Sequence, residues 1–269
     1  MKKLVVLLLL LGVASSALAA ANQWRSTNTT TNWFDPFNWS LSSVPNSTTD
    51  NVILYQSSGV APGPVLLSGS SAVAFDLLVC GNATPTPIVA QTLTIKPGAS
   101  LATTTFLIVS GNGTTLRYGD LIMQGGTVNV GTEFAVGRSS ATSGSAQKGW
   151  LHMTGGTINV AQNFNIARYP NSSGWVELYG GTISTQWFDM LPGGGTGVAQ
   201  LDIKNDGKLI ISGDARTKIA GYIASNWITG TGLQYDYDIT TPLKTTVFVP
   251  EPATLCLLAI GALGLIRRK

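Results

Sequence analysis

Histidine, cysteine and charge are all scarce in this chain. Among 269 residues there is one histidine, His152, and there are two cysteines, Cys80 and Cys256. One histidine rules out a multi-histidine metal site. Period-two alternation places His152 between Leu151 and Met153 and points it outward, as a surface residue rather than a triad base. Cys256 lies in the C-terminal tail, so a body trimmed of that tail keeps Cys80 alone and forms no internal disulfide. Cys80 sits in an apolar run and reads as a small buried hydrophobe. Charged residues are only 11% of the chain. The formal charge of +3 comes from the ends, because Lys2, Lys3, Arg267, Arg268 and Lys269 are five of the 16 basic residues. The body is close to neutral, and that excludes the basic field a nucleic-acid partner needs. Glu and Lys are too sparse for a helical protein, while Gly, Thr, Ser and Asn are abundant.

An internal repeat is present. Leu121-Ile-Met-Gln-Gly-Gly-Thr-Val-Asn-Val130 aligns with 151–160, 176–185 and 201–210, and Leu93–Leu101 precedes them. Phe106, Phe134, Phe164 and Phe188 follow the first four starts by twelve or thirteen residues. Each unit therefore holds three short alternating strands, with Gly-Gly or Asn-Asp-Gly at the first corner. Glycine suits a corner that needs φ values other residues resist. A lone unit buries too little apolar surface to offset its ordering entropy, so the units must stack. The expected fold is all-β, a right-handed parallel β-helix (solenoid) of about six coils. Its inward set is expected to include Leu121, Met123, Val128, Val130, Phe134 and Val136, with Leu151, Met153, Ile158, Val160, Phe164 and Ile166. A compact β-sandwich accounts for short strands but not for the fixed Leu-to-Phe offset.

The ends differ from the middle. Trp24, Trp33, Phe34, Phe37 and Trp39 crowd into residues 20–50, as an aromatic N-terminal cap would require. Repeats are expected over 51–221 and a C-terminal cap or linker over 222–248. Residues 1–19 read as a signal peptide: Lys2-Lys3, an apolar stretch from Val5, then Ala17-Leu18-Ala19 with cleavage before Ala20. That segment implies export through the Sec machinery.

Residues 249–269 have three parts in order. Pro250-Glu251-Pro252 comes first, then an apolar run from Ala253 to Ile266, then Arg267-Arg268-Lys269. The fourteen-residue run is short for a permanent span, which needs about 20 apolar residues. This tail resembles the PEP-CTERM sorting signal of Gram-negative bacteria. The resemblance implies an exosortase that recognises Pro250, Glu251 and Pro252 and removes a C-terminal hydrophobic sorting helix. It implies a transient inner-membrane anchor, a transmembrane helix with Arg267, Arg268 and Lys269 held in the cytoplasm. It also implies delivery to the cell surface or extracellular matrix, beside exopolysaccharide and biofilm material. The Gly-Gly-Thr repeats resemble those of exported β-helical proteins carrying the same tail.

No catalytic constellation and no cofactor motif emerges. Glycosidases need paired carboxylates, and the acids Glu133, Glu177, Asp189, Asp202, Asp206 and Asp214 are expected at different phases of the repeat. Asp236-Tyr-Asp238 is a close pair in the C-terminal segment and reads as solvent-facing. Gly193-Gly-Gly-Thr-Gly197 lacks the Asp of a calcium-binding β-roll. Trp150 and Trp175 each follow a glycine at the head of successive units. Facing out, they would stack along one side as a glycan contact; facing in, they would pack on the core. The expectation is a structural or adhesive surface protein and not an enzyme. The alternatives are a polysaccharide lyase or hydrolase, or a non-catalytic glycan binder, on the same scaffold.

Overall fold

The computed structural model describes residues 21–25, 30–55, 64–82, 90–111, 116–139, 147–191, 197–238 and 243–250. They form a parallel β-solenoid of about six turns with three strand faces. The first face stacks Val65–Leu67, Gln91–Ile95, the first parts of Arg117–Val130, Gln147–Arg168 and Ser172–Met190, and then Ala199–Ile203 and Ile228–Thr229. The second stacks Ser71–Ala74, Ser100–Thr103, the middle of the long strands and Lys208–Ser212. The third runs from Asn22–Gln23 through Asn51–Tyr55, Asp76–Asn82, Phe106–Gly111 and Glu133–Arg138 to the ends of the two longest strands.

Alternation explains the core. All twelve residues expected inward are buried, from Leu121 to Ile166. Each pairs with its equivalent one coil away, as in Leu121↔Leu151↔Val176↔Leu201. Identical positions in stacked coils thus build continuous columns of side chains, and each coil covers the open end of its neighbour. On the third face this makes a ring stack: Phe134 and Phe164 have centroids 5.1 Å apart, and Phe164 and Phe188 5.4 Å.

Two glycine columns fix the corners. Gly126, Gly156 and Gly181 have φ of 75°, 89° and 78°, the left-handed region glycine enters without penalty. At the corner between third and first faces, Gly149 lies so close to the strand Phe106–Gly111 that a Cβ would stand 2.3 Å from the Val109 carbonyl oxygen.

One landmark differs from the sequence expectation. Phe106 pairs with Glu133, while Leu107 pairs with Phe134. Ile95 and Ser100 are matched to Met123 and Thr127, so the Lys96-Pro97-Gly98 turn is one residue longer than the Gly-Gly corner. That extra residue shifts the next strands by one step, so Leu107 takes the inward place and Phe106 the outward one.

Both ends are closed. Trp24, Trp33 and Trp39 pack edge to face, with centroids 5.1 and 4.8 Å apart, and the Trp39 indole N–H donates to the Trp33 carbonyl at 2.8 Å. Phe37 takes no part and is 74% exposed. At the other end each face stops differently. Ile228–Thr229 ends the first, and the antiparallel strand Lys244–Phe248 covers the second. The helix Arg216–Ala224 lies over the third, burying Ile219 and setting Tyr222 edge-on to Phe188 at 5.9 Å. The helix comes between Lys208–Ser212 and Ile228–Thr229, and the latter still pairs in parallel with Ala199–Ile203. The outermost strand, Gln234–Asp238, is exposed and carries Asp236 and Asp238, charges that discourage further strand addition.

No helix among the described residues is long and apolar enough to cross a membrane. The sorting helix and transmembrane segment expected beyond Pro250 lie outside the described residues, as does the 193–195 glycine run.

Candidate functional site

The outer side of the first face gathers most of the side chains with chemistry. Pleating sends Asp120, Trp150, Trp175 and Gln200 outward in one column and Ile122, His152, Glu177, Asp202 and Thr229 in the next. Trp150 and Trp175 stack with centroids 4.8 Å apart and planes 12° apart. Adjacent strands lie about 4.8 Å apart, so the rings follow the coil spacing. Tyr118 stacks on Trp150 from the other side at 6.0 Å. The sequence left two placements open for these tryptophans. They stack along the outside, half-buried, and both faces of Trp150 are taken by neighbouring rings. A ligand on this column meets ring edges at Trp150 rather than an open ring face.

The acids need a correction. Glu177 and Asp202 are direct register partners and do not fall at different phases. The alignment of Val176 with Leu201 carried this signal, since both acids occupy the second place of their unit. Neither is free. Glu177 bonds His152 Nδ1 at 2.8 Å. Asp202 pairs with Lys204 at 2.6 Å and accepts hydrogen bonds from Tyr179 and Thr229, each 3.1 Å. Burial pushes the Asp202 carboxyl up, but the hydrogen bonds from Lys204, Thr229 and Tyr179 outweigh it and hold it below its ordinary range.

A second surface had no counterpart in the sequence reading. A groove of about 590 Å³ crosses the second face and its corner with the third. Its floor is a column of register partners, Ala102, Asn129, Asn159, Ser184 and Ile210. Thr103, Thr185 and Gln186 line one side. Asn159 Nδ2 donates to Asn129 Oδ1 at 2.9 Å, an amide–amide bond between successive coils along the axis. Among the described residues the lining holds no carboxylate, and Lys244 is its one charged group. The signal for this groove was the small polar residue at the ninth place of three successive units, Asn129, Asn159 and Ser184. Nothing in the sequence said that the neighbouring corner is concave.

Cys80 and Glu133 belong to the scaffold. Cys80 is fully buried, and that burial pushes its thiol up to about 11. Glu133, 2% exposed, pairs with Arg168 and accepts from Asn165 at 3.1 Å. Among the described residues no group of three or more metal-ligating side chains occurs.

Pro250 is described and half-buried, two residues past the strand Lys244–Phe248. The remaining sorting residues Glu251, Pro252, Arg267, Arg268 and Lys269 and the cleavage residues Ala17, Ala19 and Ala20 lie outside the described residues. The sorting signal thus starts directly at the closing strand of the solenoid.

A closed β-solenoid ending in a short tripartite tail is the class these features define. Residues 248–269 match the PEP-CTERM protein-sorting motif. That motif implies an exported, cell-surface protein processed by an exosortase. No curated protein and no solved structure matches the chain.

Proposed function

We propose that the mature protein is a structural or adhesive component of the cell surface or extracellular matrix, which holds exopolysaccharide along its second face without cutting it. The observation that carries this reading is the groove floored by Asn129, Asn159 and Ser184 and flanked by Thr185 and Gln186. Amides and hydroxyls repeated at the coil spacing offer donors and acceptors in a line, which suits the hydroxyl groups of an extended glycan. Such groups do not transfer protons near neutral pH, so this surface supports binding rather than turnover. In this reading Sec export follows cleavage before Ala20, and the tail pauses in the inner membrane of a Gram-negative cell until the exosortase acts.

The alternative, a polysaccharide lyase or hydrolase, draws on the Glu177–Asp202 pair. Both carboxylates are already committed, Glu177 to the His152 ring and Asp202 to Lys204, which disfavours it.

The test is to load the mature chain onto immobilised exopolysaccharide from the host. Retention without new reducing ends or unsaturated sugars is expected, with retention lost in Asn159→Leu. Soluble cleavage products, or full retention of Asn159→Leu, contradict the reading.

A further inference from the structure

Asp120 belongs neither to the groove nor to the paired acids. It sits on the first face beside Leu121, outward, in register with Trp150. Its neighbours in the acid columns each have a partner: Glu177 has His152, and Asp202 has Lys204, Tyr179 and Thr229. Asp120 faces a cavity of about 440 Å³ lined by Ala90, Tyr118, Trp150 and His152. Burial raises its carboxyl above the ordinary carboxylate range, although the nearby His152 opposes this. The one lysine at hand among the described residues, Lys148, stands over the Tyr118 ring at 5.6 Å.

A half-desolvated carboxyl in an open cavity is satisfied best by a cationic donor. The walls restrict which cation. Among the described residues only Asp120 and His152 could ligate a metal here, which is too few for a hard cation. The edges of Tyr118 and Trp150 supply apolar surface that a sugar ring can meet by van der Waals contact, without ring-face stacking. His152 has Nδ1 committed to Glu177, which leaves Nε2 for a hydroxyl. We propose that this cavity is a subsite for a sugar unit bearing a free amine, with the ammonium held by Asp120 and the ring against Tyr118 and Trp150. The proposal rests on the reading that the partner is a polysaccharide. It adds a second contact, on a different face from the groove, and a chemical class: a glycan containing unacetylated hexosamine.

The experiment titrates the mature protein with a glucosamine hexamer and, separately, with the N-acetylated hexamer, by calorimetry at neutral pH. Acetylation removes the charge and keeps the ring. The wild type should prefer the free amine by about tenfold or more, the scale of one charge-assisted hydrogen bond. Asp120→Asn should abolish the preference while melting no lower than the wild type, since it relieves an unfavourable burial. Equal binding of the two hexamers by the wild type, binding of neither, or an undiminished preference in Asp120→Asn overturns the proposal. The wild-type comparison stands even if the variant folds poorly. Asn159→Leu separates the two sites: it should lose retention on polysaccharide yet keep the amine preference. If Asn159→Leu loses retention while the wild type ignores the amine, this subsite falls and the groove stands.

Discussion

Truncating Phe164 tests the column architecture at its centre. The ring is fully buried and lies between Phe134 and Phe188, 5.1 and 5.4 Å away. The Phe134 strand is hydrogen-bonded on both sides, and the Phe188 strand end is hydrogen-bonded on one side and covered by the helix Arg216–Ala224 on the other, so the gap left by Phe164→Ala collapses poorly. Buried Phe→Ala changes cost about 3–5 kcal/mol, and limited collapse puts this one toward the upper part of that range. Total stabilities are commonly about 5–15 kcal/mol, so the loss is a large share of the whole. The assay is guanidinium unfolding of the mature body, monitored by circular dichroism. Phe37→Ala, at a side chain 74% exposed, is the control and should shift stability by no more than about 0.5 kcal/mol. A loss below about 1 kcal/mol for Phe164→Ala would refute the stacked column.

Gly149→Ala should destabilise by about 1–3 kcal/mol or more, because its Cβ meets two backbone atoms, the Val109 oxygen at 2.3 Å and the Gly137 nitrogen at 2.4 Å; a melting curve reads this directly. Arg168→Ala leaves Glu133 buried with Asn165 as its remaining partner and should cost about 3 kcal/mol in denaturant unfolding, with much of the loss recovered in the double variant with Glu133→Gln. The folded Asp202 carboxyl titrates below its unfolded value, so its contribution is present above about pH 4 and is lost as pH falls through the lowered folded value. Asp202→Asn should therefore flatten the acid side of the stability profile, measured as melting temperature against pH.

Much of the solenoid was legible because the repeat is a direct physical record of it. Equivalent residues face equivalent surroundings in every coil, so Leu151, Ile158 and Phe164 announce their burial three times over. Gly156 was legible for the same reason, since the tight corner needs φ of 89° and glycine recurs there. Phe106 was misplaced because counting from the start of the unit hides a one-residue change in turn length at Pro97. The N-terminal cap was legible in the crowding of Trp24, Trp33 and Trp39, whereas the C-terminal cap was legible only as a loss of the repeat. Helix Arg216–Ala224 and strand Lys244–Phe248 cover the core end through contacts that recur in no other coil. The outward surfaces were legible in part. Trp150 and Trp175 were found by their shared place after glycine, and Glu177 and Asp202 lay in the same alignment. Asp120 stood out only against neighbouring acids that the fold had already paired. The groove depends on how two strands meet at a corner, which no spacing encodes.

Delivery is the claim on which the rest stands, and the intact mass of the protein recovered from the cell surface tests it most directly. The expected species begins at Ala20 and has lost the residues beyond the Pro250-Glu251-Pro252 motif, with the untrimmed chain accumulating in Pro250→Ala, Glu251→Ala cells. A surface protein that retains Arg267-Arg268-Lys269, with the same mass in the variant, would contradict it.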